Sequence, residues 1–247
     1  MKDRFSEQSD LYKQFRPSYP ESLIDEILDR CSHKRLVWDG GTGNGQLAVQ
    51  LAKHFEQVIA SDISAKQIEE ASRLSNIDYR VESAEKSSLQ DQSVDLIAVA
   101  QAAHWFNFDA FYKEVRRVAA PHSCIAILGY GPIAVPNEIK EVYQRFYKET
   151  VGPYWDTERR YIDDLYQTIP FPFEEIKLKE RSMNYAWTVS HLLSYTETWS
   201  AVKNYQKAKG HNPVHLLKKD ILKYFSLDSQ IKVSFPLLVR MGIYREV

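Results

Sequence analysis

The sequence has little of what marks a secreted or membrane-spanning protein. Its 247 residues include two cysteines, Cys31 and Cys124, which lie far apart in the chain. The first ten residues are charged rather than apolar, and no apolar run reaches the roughly 18 residues that a transmembrane helix needs. We therefore expect no disulfide, no membrane partner and a location in the reducing cytoplasm.

An excess of charge of either sign is also lacking. The chain carries 32 lysines and arginines against 33 aspartates and glutamates, which gives a formal net charge of -1. Such a balance offers no general attraction to nucleic acid, so we expect no nucleic-acid partner. We expect no metal either. His211 and His215 have i,i+4 spacing, but Pro213 lies between them and no third ligand is near.

The first half of the chain alternates apolar segments with segments of helical spacing. The apolar segments predict buried strands at residues 35–38, 56–63, 77–83, 94–103 and 123–129. Between them, apolar residues recur at helical spacing, for example within 20–31 and 64–74. Wholly apolar strands that alternate with helices favour an α/β fold, in which a mostly parallel sheet is covered on both faces.

The pattern changes after Gly129. The later segments predict two polar helices, a strand, two amphipathic helices and a closing strand, at 136–149, 156–168, 169–187, 189–208, 212–225 and 231–245. We expect them to extend the sheet edge and to form a helical cap. The chain is then a single domain over 1–247, with an N-terminal lid at 1–20, a ligand-binding core at 21–130, and the cap helices and last two strands at 131–247.

A glycine-rich loop, DGGTGNG at 39–45, follows the first strand. Glycines allow a tight turn and let backbone N–H groups approach a ligand closely. The dinucleotide pattern G-x-G-x-x-G, begun at Gly41, would require glycine at 46, where the chain has Gln46. No Gly-Lys-Ser/Thr follows as in a P-loop. The loop therefore argues against a nicotinamide-linked oxidoreductase and against a P-loop nucleotide site.

Two carboxylates stand at strand ends beside this loop. Asp62 ends the second strand, where a carboxylate can accept both hydroxyls of a ribose. Asp39 ends the first strand and suits a ligand with an ammonium group, which neither NAD nor ATP has. Together, Asp39 and Asp62 indicate a ligand that contains both an ammonium group and a ribose.

These residues open an ordered series that resembles a known family. VWDGGTGNG at 37–45, SDIS at 61–64 and ESAEKSSLQDQSVDLIAVAQAAHWF at 82–106 resemble the motifs of the class I S-adenosylmethionine-dependent methyltransferases, especially their type 11 group. The resemblance implies a Rossmann-like methyltransferase fold. That fold has a mostly parallel seven-stranded sheet with an antiparallel C-terminal strand and a helical cap.

Three further segments resemble a narrower branch, the trans-aconitate methyltransferase-like proteins. They are YKQFRPSYP at 12–20, GPYW at 152–155 and YTETWSAVKNY at 195–205. Together the two resemblances cover about residues 10–245. They imply an enzyme that uses S-adenosylmethionine and releases S-adenosylhomocysteine.

The resemblance also implies which residues bind that cofactor. They are Asp39, Gly40, Gly41 and Gly43 beside its methionine part, Asp62 at the ribose, Ile63 on the adenine, Ser83, Ala84 and Glu85 at the adenine edge, and Gln101 near the methyl group. Relatives often have Asp where Ser83 stands, so the adenine contact there is expected to be weaker or to come from the backbone. Arg16 is a candidate to pair with a carboxylate of the cofactor or of the substrate, because its forked donors fit such a group.

Aromatic residues are the candidates for the acceptor side. They are Tyr12, Tyr19, Trp105, Tyr154, Trp155, Tyr195 and Trp199. Tyr195 and Trp199 have i,i+4 spacing, so packing within the core explains them equally well. His104, just after the fourth strand, is the candidate general base. It could also hydrogen-bond a loop or the cofactor without moving a proton.

Three functions remain open. The leading one is methyl transfer to a small molecule, with O-methylation of a carboxylic acid as one form. That form needs no base, because the acceptor oxygen is already anionic. The alternatives are an N- or C-methyltransferase with His104 as base, and a non-catalytic module that binds S-adenosylmethionine. A monomer or a homodimer is expected.

Overall fold

The computed structural model of the protein describes residues 16–245. Tyr12 and most of the proposed lid at 1–20 lie outside the described residues, and both remain predictions. All structural statements below concern residues 16–245.

Five parallel strands form the first part of the sheet, as predicted. They are β1 (Leu36–Gly40), β2 (Gln57–Asp62), β3 (Ile77–Val81), β4 (Val94–Ala100) and β5 (Ala119–Tyr130). Their spatial order is β3-β2-β1-β4-β5. β4 is buried from Val94 to Val99 because both faces of the sheet are covered, which explains its uninterrupted apolar sequence.

Four helices accompany these strands. They are α1 (Glu21–Leu28), α2 (Gln46–Leu51), α3 (Ala65–Glu69) and α4 (Phe108–Val118). Two begin at a side-chain cap: the N–H of Gln67 donates to Ser64 Oγ at 3.4 Å, and that of Ala110 donates to Asn107 Oδ1 at 3.1 Å. α3 is shorter than the helix predicted over 64–74, because the chain turns after Glu69.

The second half forms the cap and completes the sheet. Its elements are α5 (Asn137–Arg145), α6 (Arg160–Asp163), β6 (Glu174–Glu175), β7 (Ser182–Thr188), α7 (Val189–Glu197), α8 (Ser200–Lys209), α9 (Val214–Ile221) and β8 (Gln230–Ile243). The π-helical turn Phe146–Thr150 continues α5.

The long last strand joins two parts of the sheet. Residues 237–243 of β8 pair antiparallel with β5, and residues 230–236 pair antiparallel with β7. The described part of the sheet has eight strands, because the segment 169–187, predicted as one strand, divides into β6 and β7. The predicted Rossmann-like methyltransferase fold, mostly parallel with antiparallel C-terminal strands, is confirmed.

The polar helix predicted over 156–168 is wrong. Only the 3-10 turn Thr157–Arg159 and the four residues of α6 are helical there. Leu165 and Tyr166 follow with φ of 54° and 61°, in the left-handed region, which ends the helix. The side chain of Tyr166 is fully buried, so tertiary packing holds this conformation.

The helices between residues 16 and 245 are short; α4 has 11 residues. None of them combines the length and the apolar character that crossing a bilayer requires.

Candidate active site

The carboxyl ends of the parallel strands open into a cleft of about 830 Å³, which we call the glycine-loop cleft. Its lining residues are Arg16, Pro17, Tyr19, Gly41, Thr42, Gly43, Asn44, Gln46, Leu47, Asp62, Gln67, Ala100, Gln101, Ala102, Trp105 and Tyr130. This is the sheet edge at which open α/β folds bind ligands.

The glycine loop holds its shape through backbone conformations that favour glycine. Gly41 and Gly43 have φ of 72° and 56°. A Cβ on Gly41 would lie 2.7 Å from Cβ of Ala102, so a side chain does not fit there. The N–H groups of Gly41 and Thr42 donate to the carbonyl oxygen of Ser61 at 2.8 and 2.9 Å, which ties the loop to the end of β2.

Asp39 lies beneath the loop and is fully buried. Thr42 Oγ1 donates to Oδ2 of its carboxyl group at 2.5 Å, whereas Oδ1 accepts no hydrogen bond from any residue between 16 and 245. Burial, assisted by repulsion from Asp62, raises the pKa of Asp39 to about 7. Among residues 16–245, no cationic side chain pairs with this buried carboxyl group, and Asp39 itself is not one of the residues that line the cleft.

Asp62 is oriented by the backbone around it. Its Oδ2 accepts from the N–H of Gly43 at 2.9 Å, and its Oδ1 accepts from the N–H of Ser64 at 2.9 Å. These bonds fix the carboxylate plane at the cleft wall. A carboxylate oxygen can accept more than one hydrogen bond, so these two bonds do not by themselves prevent Asp62 from accepting from a hydroxyl group.

The predicted adenine-edge residues occupy a turn outside the lining of this cleft. Ser83 Oγ donates to Glu85 Oε2, and Glu85 Oε1 accepts from the N–H of Asn107 at 3.0 Å. Glu85 thus ties the turn after β3 to the start of α4. Ala84 is buried, and neither it nor Ile63 lines the cleft. Adenine contacts by Ile63 and this turn stay predictions.

A second cleft of about 600 Å³ lies beside the first, beneath the cap, and we call it the cap cleft. It is lined by Arg16, Gln101, His104, Trp105, Trp155, Asp156, Arg159, Ile162, Thr198, Trp199, Ser200 and Lys203. Three of these residues, Arg16, Gln101 and Trp105, also line the glycine-loop cleft. The two clefts are therefore neighbours that share a wall.

Gln101 sits at this shared wall in a strained conformation, with φ of 54° at the end of β4. Its side-chain amide pairs with the backbone of Tyr130: Oε1 accepts from the N–H at 2.8 Å, and Nε2 donates to the carbonyl oxygen at 3.3 Å. These bonds bridge the ends of β4 and β5. They fix Gln101 at the shared wall, and its place near the methyl group stays a prediction.

Arg16 is anchored to the cap and the sheet together. Its Nη1 donates to Tyr130 Oη at 2.9 Å, its Nε donates to Thr198 Oγ1 at 3.1 Å, and its Nη2 donates to the Thr198 carbonyl oxygen at 3.3 Å. The guanidinium lies 5.4 Å from the ring centre of Tyr195. Its positive charge is thus held between the two clefts.

The cap cleft has more positive than negative side chains. Arg16, Arg159 and Lys203 line it, against one carboxylate, Asp156. The Arg159 guanidinium stacks 4.4 Å from the ring centre of Trp155, and its Nε lies 3.4 Å from Asp163 Oδ1. The cleft is therefore an aromatic pocket with positive charge, which suits an anionic ligand.

His104 is buried at the base of the cap cleft. Its Nδ1 lies 3.0 Å from Tyr166 Oη, and its ring packs 5.1 Å from that of Trp105. Burial, with the positive charges of Arg159 and Arg16 nearby, lowers the pKa of His104 to about 3. The imidazole is therefore neutral at physiological pH and is a weak base.

The predicted acceptor residues divide into two groups. Trp105, Trp155 and Trp199 line the cap cleft, whereas Tyr19 lines the glycine-loop cleft. Tyr154 and Tyr195 line neither. Tyr154 packs on Tyr205, with 4.9 Å between ring centres, and Tyr195 is buried against Trp199 at 5.9 Å. Tyr154 and Tyr195 therefore pack against other aromatic rings. A direct contact of either residue with the substrate stays a prediction, because neither lines a cleft.

Several cleft residues were not recognised in the sequence. Arg159 lies in a cap segment without a motif, and Lys203 lies within the motif segment 195–205 but was not singled out there. Only the tertiary structure brings the two side chains to one cleft. Tyr130 could have been found, because it ends β5 at the same sheet edge as Asp39 and Asp62.

Comparison with known proteins agrees with this architecture. The model of the methyltransferase domain family matches residues 38–127. A candidate methyltransferase of Dictyostelium discoideum is 39% identical over 242 residues, which cover 95% of this chain and 92% of that protein. A candidate S-adenosylmethionine-dependent methyltransferase of Saccharomyces cerevisiae is 27% identical over 165 residues, 61% of this chain and 56% of its own.

A solved structure is similar over nearly the whole length. It is that of a candidate type II methyltransferase from Anaeromyxobacter dehalogenans, with a TM-score of 0.85 and 32% identity, over 94% of this chain and all of that one (100%). The fold and the site define a Rossmann-like enzyme that transfers a group to a bound acceptor. The chain belongs to the class I S-adenosylmethionine-dependent methyltransferases.

Proposed function

We propose that the enzyme methylates a carboxylate oxygen of a small organic acid. The observation that carries this proposal is the cap cleft, in which Arg16, Arg159 and Lys203 stand among three tryptophans next to the glycine-loop cleft. The resemblance to the trans-aconitate methyltransferase-like branch supports the same acceptor class.

The glycine-loop cleft fits S-adenosylmethionine. Asp39 Oδ1, buried and without a hydrogen-bond partner among the described residues, would accept from the ammonium group of the methionine part. Asp62, which lines this cleft, would accept from the ribose hydroxyls. Arg16, at the shared wall, would bind a carboxylate of the cofactor or of the acceptor. These roles are proposals drawn from the donor set.

When bound, S-adenosylmethionine supplies an electrophilic methyl carbon on a sulfonium sulfur, which leaves with the bonding electron pair as the thioether of S-adenosylhomocysteine. An acceptor carboxylate forms the new C–O bond with one of its own lone pairs, so no proton has to be removed. The protein's task is alignment. Arg159 and Lys203 would hold the acid, Gln101 and Trp105 would set the approach to the methyl group, and the cap would exclude water.

The geometry favours this reaction over the alternatives. A base would help an amine, hydroxyl or carbon acceptor, and His104 is a weak one because its pKa is lowered to about 3. A non-catalytic binding module would have no use for a second, positively charged cleft beside the first.

We further propose that residues 21–130 form the cofactor-binding core, 131–247 the cap with the last strands, and 1–20 a lid, in a monomer or homodimer.

The proposal can be tested with purified protein and a panel of small acids. S-adenosylhomocysteine formation is followed with mono-, di- and tricarboxylic acids, each beside its primary amide as a neutral control of similar shape, and with amines and phenols. We expect turnover with acids, equal amounts of methyl ester and S-adenosylhomocysteine, and no turnover with the amides. Turnover confined to amines or phenols would contradict the proposal.

A further inference from the structure

We propose that Tyr166 is a positioning residue that makes His104 a hydrogen-bond donor, through Nε2, toward the acceptor in the cap cleft. The contact that carries this inference is the 3.0 Å approach of Tyr166 Oη to His104 Nδ1, on the side of the ring away from Nε2. The proposal rests on the proposed function for the nature of the acceptor. The arrangement of the two side chains does not depend on it.

Tyr166 is held in place at a conformational cost. Both Leu165 and Tyr166 have positive φ, which a tyrosine rarely adopts, and the ring is nevertheless fully buried. The turn is tied down by its backbone: the N–H of Tyr166 donates to the carbonyl oxygen of Tyr161 at 2.7 Å, and its carbonyl oxygen accepts from Arg240 Nη1 at 3.0 Å. A strained backbone that is held by these hydrogen bonds indicates that the position of the Tyr166 side chain has a function.

A glycine on β5 makes room for the ring. A Cβ at Gly129 would lie 2.6 Å from Cε2 of Tyr166, so this strand residue must lack a side chain for Tyr166 to reach His104. Glycine weakens a strand interior. Three departures from ordinary structure, at Gly129, Leu165 and Tyr166, thus serve one contact.

The direction of the hydrogen bond between Tyr166 and His104 decides which ring nitrogen carries the proton, and we assign Tyr166 Oη as its donor. A phenol Oη that donates to Nδ1 leaves the hydrogen of the neutral imidazole on Nε2. Nε2 makes no hydrogen bond with any residue between 16 and 245, and His104 lines the cap cleft. A fixed Nε2–H is suited to bind an oxygen of an anionic acceptor. It cannot accept a proton from an amine or a hydroxyl group.

The proton position can be measured without any acceptor. Long-range ¹H–¹⁵N correlation spectra of protein labelled at histidine report the tautomer of each ring, with His104→Gln used to assign the signal. We expect the Nε2–H form of His104 in the native protein and a mixture of forms in Tyr166→Phe. A native His104 with its proton on Nδ1, or a tautomer unchanged in Tyr166→Phe, would overturn the inference.

Kinetics give a second readout. We expect Tyr166→Phe to raise the KM for the acid roughly tenfold while leaving the KM for S-adenosylmethionine unchanged. His104→Gln, whose amide can still donate near the position of Nε2, should retain more activity than His104→Leu. The matched control is Tyr112→Phe, which removes another buried hydroxyl that donates to the Pro170 carbonyl oxygen away from the cap cleft. An equal rise in KM in the control would reveal a merely structural effect and overturn the positioning role.

The two measurements separate failure of the inference from failure of the proposed function. If no carboxylic acid is methylated but native His104 carries Nε2–H and Tyr166→Phe alters it, the proposed function fails and the positioning stands. If acids are methylated and the tautomer is Nδ1–H, the inference fails alone. Should Tyr166→Phe not fold, a native proton on Nδ1, or equal activities of His104→Gln and His104→Leu, would still overturn the inference.

Discussion

At the scale of single residues, the site depends on carboxylates whose environment differs. Asp39 is buried with one oxygen that accepts no hydrogen bond from residues 16–245, and Asp62 is held by two backbone N–H groups. The first offers a buried charge to a cation, and the second offers fixed acceptor oxygens to hydroxyl groups. Each role gives a separate expectation for cofactor binding.

We expect Asp62→Ala to abolish the stabilisation that the cofactor product provides. A ligand at about 100 times its Kd adds about 2.7 kcal/mol to the free energy of unfolding, and loss of the ribose acceptor should remove most of it. Thermal unfolding with and without S-adenosylhomocysteine measures the effect. The control is Asp78→Ala, which removes a half-exposed carboxylate on β3. Equal stabilisation of Asp62→Ala and native protein would refute the role.

The cations of the cap cleft give a second expectation at this scale. Arg159→Met and Lys203→Met should each raise the KM for a carboxylate acceptor roughly tenfold or more, because each removes a charge-assisted contact. The KM for S-adenosylmethionine should not change. Arg160→Met is the control, since Arg160 is the next residue but does not line the cap cleft. Steady-state kinetics with varied acid concentration measure these KM values. Equal KM values for all three variants would contradict the assignment of Arg159 and Lys203 to acid binding.

At the scale of the element, the glycine loop is the unit that joins β1 to α2. We expect Gly41→Ala to lose cofactor affinity and about 1 kcal/mol or more of stability, since φ is positive and the new Cβ would meet Ala102. Gly210→Ala is a sharp control: Gly210 ends α8 with φ of 77°, but nothing lies within 4 Å of a Cβ there. Calorimetric titration with S-adenosylhomocysteine measures the affinity of both variants. Similar affinities of Gly41→Ala and Gly210→Ala would contradict the role of Gly41 in cofactor binding.

The elements also show what the sequence can predict. β1 to β5 and the loop after β1 were predictable because their patterns are local: apolar runs, helical spacing and glycines at a turn. The segment 156–168 was not, because Leu165 and Tyr166 take left-handed conformations that only packing against His104 and Gly129 explains. Arg159 carries no local signal that distinguishes it from other cations. Lys203 lies in the motif segment 195–205, but nothing in that segment marks this lysine as a cleft residue.

At the scale of the whole molecule, two buried titratable groups oppose each other in the stability of the fold. Burial lowers the pKa of His104 to about 3, so the unfolded chain binds its proton more readily below about 6.5. The contribution of neutral His104 to the free energy of unfolding therefore grows as pH rises from about 3 to about 6.5. Burial raises the pKa of Asp39 to about 7, so its contribution is complete below about 3.9 and is lost as pH rises towards 7.

Between about pH 5 and 6.5 the two slopes should nearly cancel, since each amounts to about 1 kcal/mol per pH unit. We expect the free energy of unfolding of the apo-protein to change little over this range, to rise with pH in Asp39→Asn, and to fall with pH in His104→Gln. Urea unfolding at several pH values measures all three. The ordinary carboxylates are already ionised in both states here, so they add little slope. If the two variants showed slopes of the same sign, one of the buried groups would not have the environment described for it.

Because an ammonium group on Asp39 stabilises the ionised form, bound S-adenosylhomocysteine should add more stability at pH 7.5 than at pH 5.5. That gain should be absent in Asp39→Asn.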